Sequence, residues 1–209
     1  MSKDDCNCGI CILAGGLSTR MGTNKASLRL CSKTMSAHIR AVAQKLGLPI
    51  RTIRRDLLPR CGPLGGVYTG LKTSEADAEL FLACDMPFVS AELLMRLANC
   101  WTAKRGAVFA KGKFRVPSSE FRARLGEAGF PFLLPVRLLP AVERQISKRE
   151  FSLQALARAV KATLFPALRG RQWELFNVNT QADWQGARKL WRQRISPDLS
   201  RAQGRIHET

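Results

Sequence analysis

The chain has 209 residues and a mass of 23.2 kDa, with 45% hydrophobic and 24% charged residues, which suits one globular domain with a sizeable core and excludes disorder, a collagen-like fibre and a disulfide-stapled miniature fold. Lys and Arg number 34 against 16 Asp and Glu, a net charge of +18, and such a field attracts anions of every kind, from phosphorylated small molecules to nucleic acid. No apolar run approaches the ~20 residues that span a bilayer, the N-terminal MSKDDCNCG lacks an export pattern, and seven scattered cysteines suit reduced thiols, so a cytoplasmic protein is expected.

The positive charge is uneven. Residues 1–100 carry 13 basic and 8 acidic side chains, net +5; residues 101–209 carry 21 and 8, net +13.

The first element is Cys8–Ala14, a nearly continuous apolar run expected of a strand buried on both faces. It runs into Gly15-Gly16. Ile39, Val42, Ala43 and Leu46 recur at helical spacing, and Gly47 with Pro49 stops that helix. Leu48–Ile53 reads as a short second strand. Cys61–Gly66, CGPLGG, reads as a tight turn or loop, with a helix starting at Val67–Leu71. Glu79–Cys84 is a further buried strand, closed by Pro87, and Ser90 is placed to cap a helix with Glu92 in its first turn. Leu93, Leu94, Leu97 and Trp101 form the buried side of that helix.

Ala107–Ala110 reads as a strand, and the Pro-rich stretch GFPFLLPVRLLP disrupts any long helix. Glu174–Val178 reads as a strand. Thr180 with Asp183 resembles a capping box that opens a helix with Trp184, Ala187 and Trp191 on one face. Residues 1–195 are expected to form the domain, and 196–209 a basic, flexible tail. Strand–loop–helix units in series imply an α/β fold with a mostly parallel sheet.

Chemistry concentrates in LAGGLSTRMGTNK, residues 13–25. A buried strand delivers the chain to two glycines, and the loop then presents Arg20 and Lys25. Glycines let backbone N–H groups approach a phosphate or a base, Arg offers a planar fork and Lys a compact charge. The spacing fits neither the phosphate loop ending in GK[ST] nor the GxGxxG fingerprint.

This segment resembles the signature loop of the molybdenum cofactor guanylyltransferases, within the wider nucleotidyltransferase superfamily. Three more segments resemble that family in order: Asp56 followed by CGPLGG, ACDMPF at 83–88, and NVNT at 177–180. Together they span most of the chain, from Ile10 to Trp191. The resemblance implies a Rossmann-like three-layer sandwich of nucleotidyltransferase type. Only 30 residues separate Lys25 from Asp56, and Asn24 stands where the family commonly has Asp. The family usually fits another strand in that stretch, so a sheet one strand short is an expectation here.

The implied activity is transfer of GMP from Mg-GTP to molybdopterin, giving molybdopterin guanine dinucleotide and pyrophosphate. By resemblance, Leu13, Ala14, Gly15 and Gly16 lie along the guanine and ribose, and Arg20 and Lys25 bind the triphosphate. Asp56 and the Gly62–Gly66 loop help hold the nucleotide. Asp85 ligates Mg²⁺, and Asn177 and Asn179 stand near the metal and the acceptor. Lys113–Pro117 and Lys148–Arg149 fall where the family binds its acceptor. The resemblance also implies contact with molybdoenzyme maturation proteins, and no membrane.

The same fold could use CTP, a sugar phosphate or a cobinamide phosphate. A degenerate nucleic-acid-binding relative would suit the charge, but Phe, Trp and Tyr total only 15 and no aromatic-plus-basic stacking motif is present. Cys6, Cys8 and Cys11 lack a fourth ligand nearby and read as plain thiols. His38 and His207 have no catalytic setting.

Overall fold

The computed structural model describes residues 7–15, 28–104, 106–112 and 128–194. The apolar run near the N-terminus becomes β1 (Cys8–Leu13), buried along nearly its whole length. A short hairpin follows, β2 (Arg29–Leu30) and β3 (Lys33–Thr34), then α1 (Met35–Gln44) and β4 (Ile50–Ile53). Next come α2 (Pro63–Lys72), β5 (Ala78–Ala83), α3 (Ala91–Lys104) and β6 (Val108–Lys111). The chain continues through β7 (Ala128–Pro135), α4 (Leu139–Ser147), α5 (Leu153–Ala159), β8 (Thr163–Pro166) and α6 (Gln181–Arg194).

Six strands form one sheet in the order β4-β1-β5-β7-β6-β8. All run parallel except β7, which is antiparallel to both neighbours. β1 is flanked on both sides, and Leu13 pairs with Ile53 and with Ala83, so three strands end at one level. The sheet stops at β4, which lies directly on β1; among the described residues no further strand covers that edge.

Alternate residues of the central strands feed two cores, which is why β1 and β5 are apolar at nearly every position. Ile10, Ile12, Leu80 and Leu82 pack with Ile39 and Ala43 of α1 and with Leu93, Leu94, Leu97 and Trp101 of α3. Cys11, Phe81 and Phe132 pack on the other face with α2, α4 and α5. There the Phe132 ring lies between Phe81 and Phe109, with centroids 5.0 and 4.4 Å away. A smaller cluster joins Met35, Phe88, Phe176 and Val178 to Ala187 and Trp191 of α6. The architecture is the three-layer α/β sandwich that the sequence predicts.

The helix starts follow their caps. The Ser90 hydroxyl accepts the Leu93 N–H at 3.1 Å. Thr180 Oγ1 accepts the Asp183 N–H at 3.1 Å while Asp183 Oδ2 accepts the Thr180 N–H at 2.8 Å, a reciprocal box with Asp in the Glu position.

Three readings change. The helix expected from Val67 starts at Pro63, so Gly65 and Gly66 lie inside its first turn rather than in a loop. Proline at the first helical position needs no N–H there and presets φ. The stretch 174–178 is no strand: Gln172–Leu175 forms a 3-10 turn and the chain then runs extended. The Pro-rich segment holds the interior strand β7. Its Pro131 falls where the register shifts, because Phe109 pairs with Phe132 while Ala110 pairs with Gly129. A bulge of this kind accommodates a residue without an N–H.

Candidate active site

The parallel strands β1, β4 and β5 deliver their ends to one rim, where open α/β sheets hold ligands. Leu13 ends β1. The Ala14 N–H donates to the Ile53 carbonyl at 2.9 Å, and the Cys84 N–H donates to the Leu13 carbonyl at 3.2 Å. The loops after all three strands are therefore tied together. Gly15 is exposed and close-set: a Cβ on it would stand 3.1 Å from the Arg54 carbonyl oxygen and 3.5 Å from Asp56 Oδ1. Gly16, Arg20, Asn24 and Lys25 lie outside the described residues, as does 113–117.

Asp56 follows β4 and reaches the first turn of α2. Cβ atoms on Gly65 and Gly66 would stand 2.8 Å from its Oδ2 and 3.4 Å from its Oδ1. Gly66 also abuts the Leu13 side chain, so one glycine pair admits both the strand end and the carboxylate. Thr69 braces the loop: its hydroxyl donates to the Gly65 carbonyl and accepts the Leu57 N–H, both at 2.8 Å. Burial pushes the Asp56 carboxyl above its ordinary value. Gly62, the residue before α2, has φ +55° and ψ −145°, a conformation open mainly to glycine. Phe151 lies against Gly62. Lys148 and Arg149 begin the turn that carries Phe151, so they lie beside the start of α2 and are exposed.

Asp85 stands just past β5, half-buried. Its carbonyl accepts the Val178 N–H at 2.9 Å, which sets NVNT alongside it. Phe176 and Val178 are buried while Asn177 and Asn179 are half-exposed, so the expected alternation holds without a strand. The Asn179 N–H donates to Asp183 Oδ2 at 2.9 Å. Asn177 Oδ1 is a buried oxygen with no hydrogen-bond partner among the described residues. An orphaned hard oxygen beside a carboxylate loop suits a cation that takes one or two carboxylates together with substrate oxygens and water. Among the described residues no group of three or more His, Cys, Asp and Glu could hold a metal; Cys8 and Cys11 are buried free thiols, and Cys6 lies outside the described residues.

Leu13, Ala14, Gly15, Gly66 and Asp56 thus form one group, Asp85 with Asn177 and Asn179 a second, and the Cys84–Leu13 hydrogen bond links them. Gly65 has the tightest contacts of its loop. Its signal in the sequence is the doubled glycine two residues after a proline that begins a helix.

Residues 10–164 match the model of the MobA-like NTP transferase domain. The chain belongs to that family. Among relatives, a probable molybdenum cofactor guanylyltransferase of Carboxydothermus hydrogenoformans is 29% identical over 204 residues, 88% of this chain and 97% of the relative. The molybdenum cofactor guanylyltransferase of Pseudomonas putida is 30% identical over 196 residues, 81% of this chain and 93% of the relative. A solved structure, the molybdopterin-guanine dinucleotide biosynthesis protein A of Archaeoglobus fulgidus, superposes with a TM-score of 0.65 at 19% identity, covering 88% of this chain and 99% of that one. Like the rest of the MobA-like family, the chain is a nucleotidyltransferase. Among the described residues no helix is long and apolar enough to cross a membrane.

Proposed function

We propose that this MobA-like chain transfers GMP from GTP to molybdopterin, forming molybdopterin guanine dinucleotide and releasing pyrophosphate. The observation that carries the reading is the joining of the glycine turn, Asp56 and Asp85 at one rim by backbone hydrogen bonds between strand ends. The names of the relatives point to the same nucleotide and acceptor.

Leu13, Ala14, Gly15 and Gly16 lie along the nucleoside, the two glycines allowing close approach because they lack a Cβ. Asp56 accepts hydrogen bonds and repels phosphate, so it suits the N–H and O–H donors of base and sugar. Gly62 and Gly66 make room for that carboxylate and for the start of α2. Arg20 and Lys25 bind the triphosphate. Asp85 and Asn177 Oδ1 would hold Mg²⁺, with Asn179 nearby; bound there, the ion would neutralise charge on the phosphate oxygens.

The acceptor's terminal phosphate oxygen forms a bond to the α-phosphorus of GTP, and the bond from that phosphorus to the bridging oxygen breaks. The electron pair leaves with pyrophosphate. The acceptor phosphate is already ionised at neutral pH, so no general base is needed. The chain's contribution is alignment of two anions that repel each other, and neutralisation of the departing charge.

The test is incubation with labelled GTP, Mg²⁺ and molybdopterin. The expected products are the guanine dinucleotide and pyrophosphate. GTP with Mg²⁺ should also raise the melting temperature more than CTP or ATP does, and Asp85→Ala should remove the effect. Equal shifts with all three nucleotides would reject guanine selectivity.

A further inference from the structure

After β8 the chain must travel from the outer edge of the sheet to Asp85 at the end of β5, across β6 and β7. Residues 167–176 make that crossing. The start is pinned where the Ala167 N–H donates to the Lys111 carbonyl at 3.1 Å. Leu175 fills the space above Gly112, where a Cβ would stand 2.2 Å from Leu175 Cδ1. Trp173 and Phe176 meet the Phe88 ring at centroid distances of 6.0 and 6.1 Å. The side-chain contacts of Leu175, Trp173 and Phe176 are apolar.

One charged contact does more. The Arg171 guanidinium pairs with Glu92, in the first turn of α3, and with Oε1 of Glu174. Glu174 is 0% exposed, and its Oε2 has no partner among the described residues. A buried carboxylate is costly without a cation. Arg171 supplies one, and its planar fork fixes direction as well as charge. α3 begins six residues after Asp85 in the chain, so this clamp fastens the crossing segment to the helix that follows the Asp85 loop.

We infer that Arg171, held between Glu92 and Glu174, is a positioning residue that sets Asn177 against Asp85. The inference rests on the nucleotidyl transfer proposed above for its catalytic consequence, and on geometry alone for its structural one. Arg171 acts through Asn177 and touches no substrate.

Two readouts test it. Arg171→Ala strips Glu174 of its cation and endangers folding, so Glu92→Ala is made beside it; Glu92 is half-exposed, and its loss leaves the Arg171–Glu174 pair intact. In both variants, hydrogen exchange at the Val178 amide should quicken by about tenfold or more. The Ile10 amide, bonded to the Pro49 carbonyl at 2.8 Å, serves as the reference and should not change. In the GMP-transfer assay, Glu92→Ala should lower kcat about tenfold with KM for GTP within about twofold, and Glu92→Gln, which keeps an acceptor oxygen, should restore part of it. Combined with Asn177→Ala, Glu92→Ala should cost nothing further. Unchanged Val178 exchange overturns the inference, as does an unchanged kcat or a loss that multiplies with that of Asn177→Ala. A wild-type protein that transfers no GMP would refute the proposed function, and the exchange measurement would still judge the clamp.

Discussion

The Asp56 carboxylate and the backbone of Gly65 approach so closely that a Cβ on the glycine would stand 2.8 Å from Oδ2, and 2.7 Å from the Leu58 carbonyl oxygen. Gly65→Ala must therefore push the β4–α2 loop outward. Backbone cannot yield as a flexible side chain does, so a loss of roughly 1–3 kcal/mol is expected in urea unfolding. GTP should then stabilise the variant less than the wild type. Unaltered stability would show that the loop tolerates a methyl group there.

Asp56 has a native pKa raised by burial. Its ionised form is disfavoured in the fold, so the group costs stability at neutral pH, and the cost vanishes as the pH falls through the native value and below the unfolded one. Asp56→Asn should melt higher than the wild type at pH 7 without nucleotide. The gap should close below the ordinary carboxylate range. A gap that widens on acidification would contradict the assignment. With GTP present the order at pH 7 should reverse, because the variant loses an acceptor for the nucleoside.

Arg51 and Glu79 bridge β4 and β5 with a 2.6 Å contact, and Glu79 is only 1% exposed. Ser74 donates to the same oxygen at 2.6 Å. Arg51→Ala leaves a buried carboxylate without its cation and should cost on the order of 3 kcal/mol, measured by denaturant unfolding. Replacing Glu79 by Gln in that variant should recover much of the loss, since a neutral amide needs no cation.

Burial, with Glu79 nearby, pushes the Cys11 thiol up to about 12. Iodoacetamide at pH 8 should label exposed Cys31 rapidly in the native protein and leave Cys11 unmodified, as read by mass spectrometry. Labelling of Cys11 at the rate of Cys31 would mean that β1 opens.

Elements with strong local signals were legible. The apolar runs of β1 and β5, the face of α3 and the Thr180–Asp183 box all stand where the sequence puts them. β7 was not, because prolines mask a strand whose bulge only its partner β6 makes possible. α4, α5 and β8 were not legible either: Pro140 at the start of α4 and the Ser152 cap of α5 are local signals, but the elements are short and long-range packing decides them. In the site, strand ends and glycines were readable from order along the chain. The Arg171 clamp was not, since Glu92 lies 79 residues away and nothing local marks the pair.

Arg51 meets Glu79 near the starts of β4 and β5, the strands that end at Ile53 and Ala83. The fastening of these strands thus lies below the rim, two residues before the end of β4 and four before the end of β5, apart from the residues proposed to handle nucleotide. Substitutions that exchange one acceptor or base for another can accumulate at the far rim while the anchorage underneath stays untouched, and a scaffold divided in this way is free to change clients without relearning how to fold.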